Sequence, residues 1–399
     1  MVSSAEVPVM LRVAIPYIFN DEDWLGGRNY FANLIRAIRL VAADRVELTL
    51  VTGRRIRTTL PDEFVDLRVL RTSLFDRKSP GWWVRTLDMR LLNRDLLLTT
   101  YLKRHRIDVL SHCMHLGPRS GIVTLSWLYD FQFLHLPELW TKGQIKWATQ
   151  WYQAACRNCD AVLVSSASAL NDLNGFAPFG THIRGILHFV SNPISLEGLP
   201  SLEELQKHYA IQDRYFYLPN QFWQNKNHQL VVKALAVLRA SARDGVQVVC
   251  TGKTLDGRQP HFFDQLMQHV IESGLADHFR VLGIVPLAHA QALMLHSLAV
   301  INPSKFEGWS TSVEEAKTMD KPILLSKIAV HLEQNPPLGV FFDPENASQL
   351  ADLLYQIHSG SPSDLKPSHA LPSYEERLQS YGLTYLNLLD QALRASHGS

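Results

Sequence analysis

Apolar runs of four to eight residues alternate along this chain with stretches whose apolar positions recur at helical spacing. Arg12-Val-Ala-Ile15 reads as a short buried strand stopped by Pro16, and Asn29 to Val41 as a helix with Phe31, Leu34, Ile35, Ile38 and Val41 on one face. Strands are predicted at 46–51, 65–70, 107–110, 121–128 and 161–164, with a helix through Trp147 and Trp151 and another starting at Ser165-Ser166. Phe189-Val-Ser-Asn-Pro193 and the polar, Gly- and Pro-containing segment to Ser201 read as a link. The pattern then restarts, with strands at 215–218, 246–251, 280–285, 298–301 and 322–326 and helices at 228–240, 263–271 and 288–296. A final helix, from about Tyr374 to Ala395, has no strand after it. Strand and helix alternating through both halves imply two parallel-sheet, doubly wound domains. The expected boundaries are 1–195, 196–373 and a terminal helix at 374–399.

At 399 residues the chain exceeds one compact core and suits two domains. With 39 basic against 38 acidic side chains, nothing points to nucleic acid. No apolar run approaches the roughly 20 residues of a membrane span, and residues 1–10 lack a signal peptide's apolar stretch, so the cytoplasm is the expected compartment. Cys156 and Cys159 form the only CxxC among the four cysteines, and no second pair completes a zinc site. All four read as buried thiols. Asp21-Glu22-Asp23 resembles a metal-binding DxD only superficially and reads as a solvated loop, so no metal site is expected.

The chemistry concentrates where strands end. Val300-Ile-Asn-Pro leads into a loop holding Glu307 and Gly308, then into a helix for which Thr311 and Glu314 have capping-box spacing. Backbone N–H groups around Trp309, Ser310 and Thr311 would favour an anion. Glu315, a turn in and beside Val313 and Ala316, needs a partner such as paired hydroxyls. Lys226 sits in Asn220-Gln221-Phe-Trp-Gln-Asn-Lys226, after another strand, where it could neutralise a diphosphate; Lys253 after Gly252 is a second candidate. Backbone at Gly283, Ile284 and Val285 could hold a base edge. In the first half, Gly26-Gly27 either admits a phosphate or sugar close to the backbone or simply turns the chain. Asp130 and His135 are the titratable groups of a polar, aromatic cluster past a strand end. Residues 54–106 are predominantly basic, and Trp82, Trp83, Leu87, Leu91 and Leu92 with arginines at 85, 90 and 94 describe a helix that either packs on its domain or lies on an anionic membrane surface.

Glu307 and Glu315, with seven residues between them, together with the lysine loop, the glycine pair, the segment 130–138 and Ser165-Ser166, resemble the family 4 retaining glycosyltransferases of the GT-B fold. The likeness spans nearly the whole chain. It implies two Rossmann-like domains facing a cleft, with the last helix returning to the first domain. It also implies transfer of a hexosyl group from a nucleoside diphosphate sugar to a glycan or lipid-linked hydroxyl, of polysaccharide- or lipopolysaccharide-assembly type. Glu307 would contact donor-sugar hydroxyls, Glu315 the ribose, and Lys226 with the backbone at 309–311 the diphosphate; Gly26-Gly27 would close over the phosphates. No cofactor is implied beyond the GDP- or UDP-linked donor, with mannose the expected sugar, and a peripheral contact with the inner membrane surface is open. Two departures stand out: the polar pair Asn220-Gln221 replaces the usual arginine, and Tyr129 replaces the histidine before Asp130, a place His135 fills only imperfectly. A nucleotide-sugar epimerase and a non-catalytic nucleotide-binding subunit are the alternative readings.

Overall fold

The computed structural model describes residues 10–19, 25–57, 62–113, 115–118, 120–181, 183–193, 195–360 and 365–397. The chain divides into two units. The first comprises Met1–Phe131, Lys146–Val190 and Glu375–Ser399; the second comprises Gln132–Ile145 and Ser191–Tyr374. The segment 132–145, left in the first domain by the sequence pattern, groups with the second unit.

The first unit is built on a seven-stranded sheet. Its strands are β1 (Leu11–Pro16), β2 (Val46–Thr52), β3 (Arg68–Arg71), β4 (Val109–Ser111), β5 (Val123–Leu128), β6 (Ala161–Val164) and β7 (Arg184–Ile186), in the order β3-β2-β1-β4-β5-β6-β7. Every pairing is parallel. The expected strand at 65–70 starts later: Asp62–Phe64 form a single 3-10 turn, and Val65 stands 75% exposed. Strand β7 has no counterpart in the sequence reading. The helix after β1 runs Leu25–Ala42, so Gly26 and Gly27 lie in its first turn and not in a loop. The triplet at 21–23 falls outside the described residues.

From Glu375 onward, the helix Tyr374–His397 belongs to the first unit. It buries Tyr381, Tyr385, Leu388, Leu389 and Ala392. A Cβ on Gly382 would stand 2.5 Å from the Ala37 carbonyl oxygen, so glycine lets this helix close onto the helix Leu25–Ala42. Tyr30, stacked on Trp127 at 3.8 Å, sits between that helix and the sheet.

The second unit carries a six-stranded sheet of β8 (Phe216–Leu218), β9 (Val248–Thr251), β10 (Phe279–Gly283), β11 (Val300–Asn302), β12 (Ile323–Ser326) and β13 (Gly339–Phe342). Their order is β10-β9-β8-β11-β12-β13, again wholly parallel. Side chains alternate between two apolar layers: Phe216, Leu218 and Ile301 enter one, and Tyr215, Tyr217 and Val300 the other. In each sheet the chain leaves the first strand in one direction and returns on its other side. Strand order therefore reverses between β1 and β4, and between β8 and β11. Open parallel sheets bind ligands beyond the carboxyl ends at such a reversal, because the loops diverge there.

Among the described residues no helix is long and apolar enough to cross a membrane. All four cysteines are free and buried, and burial pushes their thiols upward.

Candidate active site

The loops that leave β8 and β11 meet at the reversal point of the second sheet. Asn225 accepts the Lys305 N–H through its carbonyl at 2.8 Å. Asn227, held in the left-handed region at φ 57°, donates its amide to the Pro303 and Pro344 carbonyls at 3.1 and 2.9 Å. Between these two fixed asparagines, Lys226 projects its ammonium onto Glu307, Nζ to Oε1 at 2.6 Å. Both side chains are largely covered, at 16% and 9% exposure. An ammonium has three donors and this one spends one on the carboxylate. The remaining two are what an anionic ligand can use.

Asn302, wholly buried at the end of β11, organises the helix start that follows. Its amide nitrogen donates to Ser310 Oγ at 2.8 Å and Ser312 Oγ at 3.0 Å, while its oxygen accepts from Ser304 Oγ at 2.7 Å and Asn220 Nδ2 at 3.2 Å. The N-cap of the helix Thr311–Thr318 is Ser310, and the capping box expected of Thr311 and Glu314 is not made. Glu314 is buried and is held instead by Lys317 at 3.0 Å and Gln334 at 3.0 Å. The reason is tertiary: Gln334 also takes the Ser310 N–H at 3.1 Å and returns a bond to the Ser310 carbonyl at 2.9 Å. The Ser310 N–H is thus spent inside the protein. Those that follow begin the helix, where the ladder offers no partners.

Replacing Asn302 by alanine strands several buried hydroxyl and amide groups at once, each worth about 1–3 kcal/mol. Denaturant unfolding of Asn302→Ala is expected to show a loss of about 4 kcal/mol or more in the second unit. A loss below about 1 kcal/mol would mean that the hub does not hold the helix start.

Glu315 lies one turn into this helix, partly covered. Burial raises its carboxyl to about 7, and among the described residues no cation or hydrogen-bond donor offsets that cost. Tyr217 lies near enough to feel its charge, with its own hydroxyl engaged by Thr251 at 2.6 Å. A carboxyl so placed can accept from a pair of hydroxyls.

The other candidates fall into two groups. Gly252 takes φ 141°, and a Cβ there would stand 2.6 Å from the Asn220 carbonyl oxygen, so the loops after β8 and β9 touch backbone to backbone. Lys253 beside it is exposed, as is Ile284 at 79%; Gly283, at φ 71°, has open space around its missing side chain. Asn220 is buried with its amide on Asn302, so it braces β11, and Gln221 carries a buried Oε1 with no protein partner. Neither reproduces an arginine.

Asp130 and His135 part company. Asp130 belongs to the first unit, where its carbonyl accepts the Tyr152 hydroxyl at 2.8 Å. His135 belongs to the second, its ring stacked on Phe306 at 4.9 Å, next to Glu307. The segment carrying it is held by Arg258, which donates to Gln132 Oε1 at 2.6 Å and lies over Trp140 and Trp223 at 5.3 and 5.4 Å. Arg258 is in turn fixed by Asp256 at 3.1 Å.

The sequence reading passes over His331. It is fully buried, and its Nδ1 reaches the Ser326 carbonyl at 2.9 Å, which requires the proton on that nitrogen. Nε2 then keeps its lone pair and has no protein partner. Burial lowers the imidazole to about 4, outweighing the raising influence of nearby Glu307 and the Ser326 carbonyl, with the Lys226 charge acting in the same direction as burial. A neutral acceptor thus stands close to the ion pair. Nothing in Ala-Val-His-Leu marks it in sequence, because the partners that define it lie on other elements.

Among the described residues no group of three or more metal-ligating side chains comes together.

Residues 203–370 match the family model described as glycosyl transferases group 1. No curated protein matches the chain by sequence. Solved structures do match it in fold. Sucrose-phosphate synthase from Thermosynechococcus elongatus superposes with a TM-score of 0.64 at 13% identity, over 97% of this chain and 98% of that one. Anabaena HepE, in complex with UDP and glucose, gives 0.61 at 13% identity over 97% and 99%. WaaG, a glycosyltransferase involved in lipopolysaccharide biosynthesis, gives 0.59 at 16% identity over 96% and 98%. The match at 203–370 covers the loops of Lys226 and Glu307 and the helix of Glu315. Residues 203–370 therefore carry a glycosyl transferases group 1 domain, and the chain as a whole has the GT-B fold.

Proposed function

We propose that this protein is a glycosyltransferase that moves a hexosyl group from a nucleoside diphosphate sugar to a hydroxyl of a glycan or lipid-linked acceptor, with retention at the anomeric carbon. The observation that carries the reading is the Lys226–Glu307 pair, 2.6 Å apart at the mouth of the strand reversal, with the unpartnered Glu315 one turn into the adjoining helix. Lys226 turns its free donors to the diphosphate, and the helix start adds N–H groups to the same charge. Glu307 accepts from sugar hydroxyls and Glu315 from the ribose. Exposed Lys253 lies along the phosphate side, and the backbone at Gly283 to Val285 takes the base edge. His135, held beside Phe306, faces the sugar side. In the reaction the bond from C1 to the diphosphate oxygen breaks and a bond from C1 to the acceptor oxygen forms on the same face. The acceptor proton passes to the departing phosphate oxygen. No carboxylate nucleophile is then required, unlike a retaining glycosidase, whose two carboxyls flank the bond at about 5 Å. Stabilising the leaving diphosphate is the main catalytic contribution.

The first domain supplies the acceptor contacts. The complex of Anabaena HepE with UDP and glucose supports including UDP beside GDP among donors, and mannose remains the sugar favoured by the sequence likeness. A thermal-shift series with GDP, UDP, ADP and dTDP tests the reading and names the base. The preferred nucleotide, at about 100 times its dissociation constant, adds about 2.7 kcal/mol of stability. No shift with any of the four would sink the proposal. A donor sugar converted without any acceptor would instead identify an epimerase, and a shift without turnover a binding subunit.

A further inference from the structure

The helix Pro80–Leu92 in the first unit is well formed at both ends yet buries none of its residues. Ser79 caps it, accepting the Trp82 N–H at 3.1 Å, and Asn93 closes it in the left-handed region. One face is anchored by Arg85, which pairs with Asp95 at 2.7 Å, donates to the Leu74 carbonyl at 2.6 Å and lies over Phe75 at 4.8 Å. The opposite face carries Trp83, Val84, Leu87 and Leu91, spaced i, i+1, i+4 and i+8 and therefore on one stripe. They are 57%, 51%, 57% and 71% exposed, and Leu96 and Leu97 add 47% and 39% just beyond. A helix that packs on its domain buries its apolar stripe; this one presents it outward.

The charges around that stripe are of one sign. Arg77 and Lys78 precede the helix, Arg90 lies on the stripe's edge, and Arg94 follows it, all exposed. The acids nearby are turned in: Asp76 and Asp95 are buried, and Asp88, its side chain only 12% exposed, accepts the Leu96 N–H at 2.8 Å and pairs with the still exposed Arg94 at 3.7 Å. A tryptophan and three aliphatic side chains flanked by cations match the interface of an anionic bilayer, where apolar groups enter the acyl boundary and cations meet headgroup phosphates. A second copy of the chain is disfavoured, because a two-fold interface would set this cationic rim against itself.

We propose that the face formed by Trp83, Val84, Leu87 and Leu91 docks this protein onto anionic membrane lipid. Docking does not depend on the donor chemistry proposed above. It brings the enzyme to the surface where a lipid-linked acceptor is found.

Co-sedimentation with vesicles tests it. The chain is expected to bind phosphatidylglycerol-containing vesicles and to bind pure phosphatidylcholine roughly tenfold less, with the difference shrinking at high salt. The variant Trp83→Ser/Leu87→Ser/Leu91→Ser is expected to lose binding roughly tenfold or more. The variant Arg77→Gln/Lys78→Gln/Arg90→Gln/Arg94→Gln is expected to lose the preference for the anionic lipid. Since the helix buries no residue, both should melt like the parent; should the apolar variant unfold, the charge variant carries the test. Absence of vesicle binding, or binding unchanged in the variants, overturns the proposal. So does a lipid-free dimer that the apolar variant dissolves. The nucleotide-induced thermal shift reports separately on the donor site, so the two proposals fail independently.

Discussion

Replacing Lys226 by methionine is expected to lower donor turnover about a hundredfold or more, because the cation facing the departing diphosphate is lost. The same change leaves Glu307 covered and without its ammonium, and breaking such a pair costs about 3 kcal/mol of stability. Glu307→Gln inverts the problem by leaving the ammonium uncompensated. In the double variant Lys226→Met/Glu307→Gln neither charge is stranded, so stability should return most of the way while turnover stays low. Unfolding and kinetics on all four proteins separate the structural worth of the pair from its chemical worth. Stability losses that simply add, or turnover in Lys226→Met within a fewfold of the parent, would show that the pair is neither coupled nor catalytic.

The second large effect is expected at Glu315, and it has a pH signature. Burial raises this carboxyl from 4.5 to about 7 in the folded chain. Between those values the folded state holds a proton that the unfolded state has released, so stability falls as pH rises through the window. The cost is absent well below 4.5 and complete above 7, and its size is about 3 kcal/mol. Glu315→Gln should therefore melt above the parent at pH 8 and converge with it in acid. The same variant should lose most of the stabilisation by nucleoside diphosphate, because an amide is a poorer acceptor for two hydroxyls than a carboxylate. In the parent, hydroxyl donors favour the ionised form, so nucleotide binding at pH 7 should release a proton. Calorimetry in two buffers of different ionisation enthalpy reads that proton directly. A variant that melts no higher at pH 8 and keeps its nucleotide response would refute both parts of this account.

The helix around Glu315 illustrates how far sequence carries. The strand ending at Asn302 and the helix beginning near Thr311 are legible because an apolar run gives way to Asn-Pro-Ser and then to helical spacing. The capping box is not, because Glu314 is claimed by Lys317 and Gln334, and the latter lies on a different helix. Lys226 and Glu307 each stand out after a strand, yet their contact depends on backbone and amide bonds made by Asn225 and Asn227 across 76 to 81 positions of sequence. His331 is invisible for the same reason. Buried strands such as β2 and β5, and even the three-residue β8 and β11, declare themselves as apolar runs, whereas β7 and β13 are edge strands and mostly half-buried, so no such run marks them. Gly26 and Gly27 read as a loop because glycine is a poor helix former, and the first turn of a helix is where that penalty matters least. The exposed stripe at Trp83 was ambiguous by nature. Pattern identifies an apolar face, and only packing reveals whether anything covers it.

The placement of the helix Tyr374–His397 has a consequence for how this protein is made. The second unit is nearly continuous in the chain, over Ser191–Tyr374, whereas the first waits for residues beyond 374 to cover Tyr30 and the helix Leu25–Ala42. During synthesis the earlier-made sheet can assemble, but its last layer emerges only after the whole second unit has been translated. The part made first is thus the part finished last. Until then it keeps an apolar seam along Ala37 and Val41 uncovered, the stretch where a chaperone would bind a nascent chain.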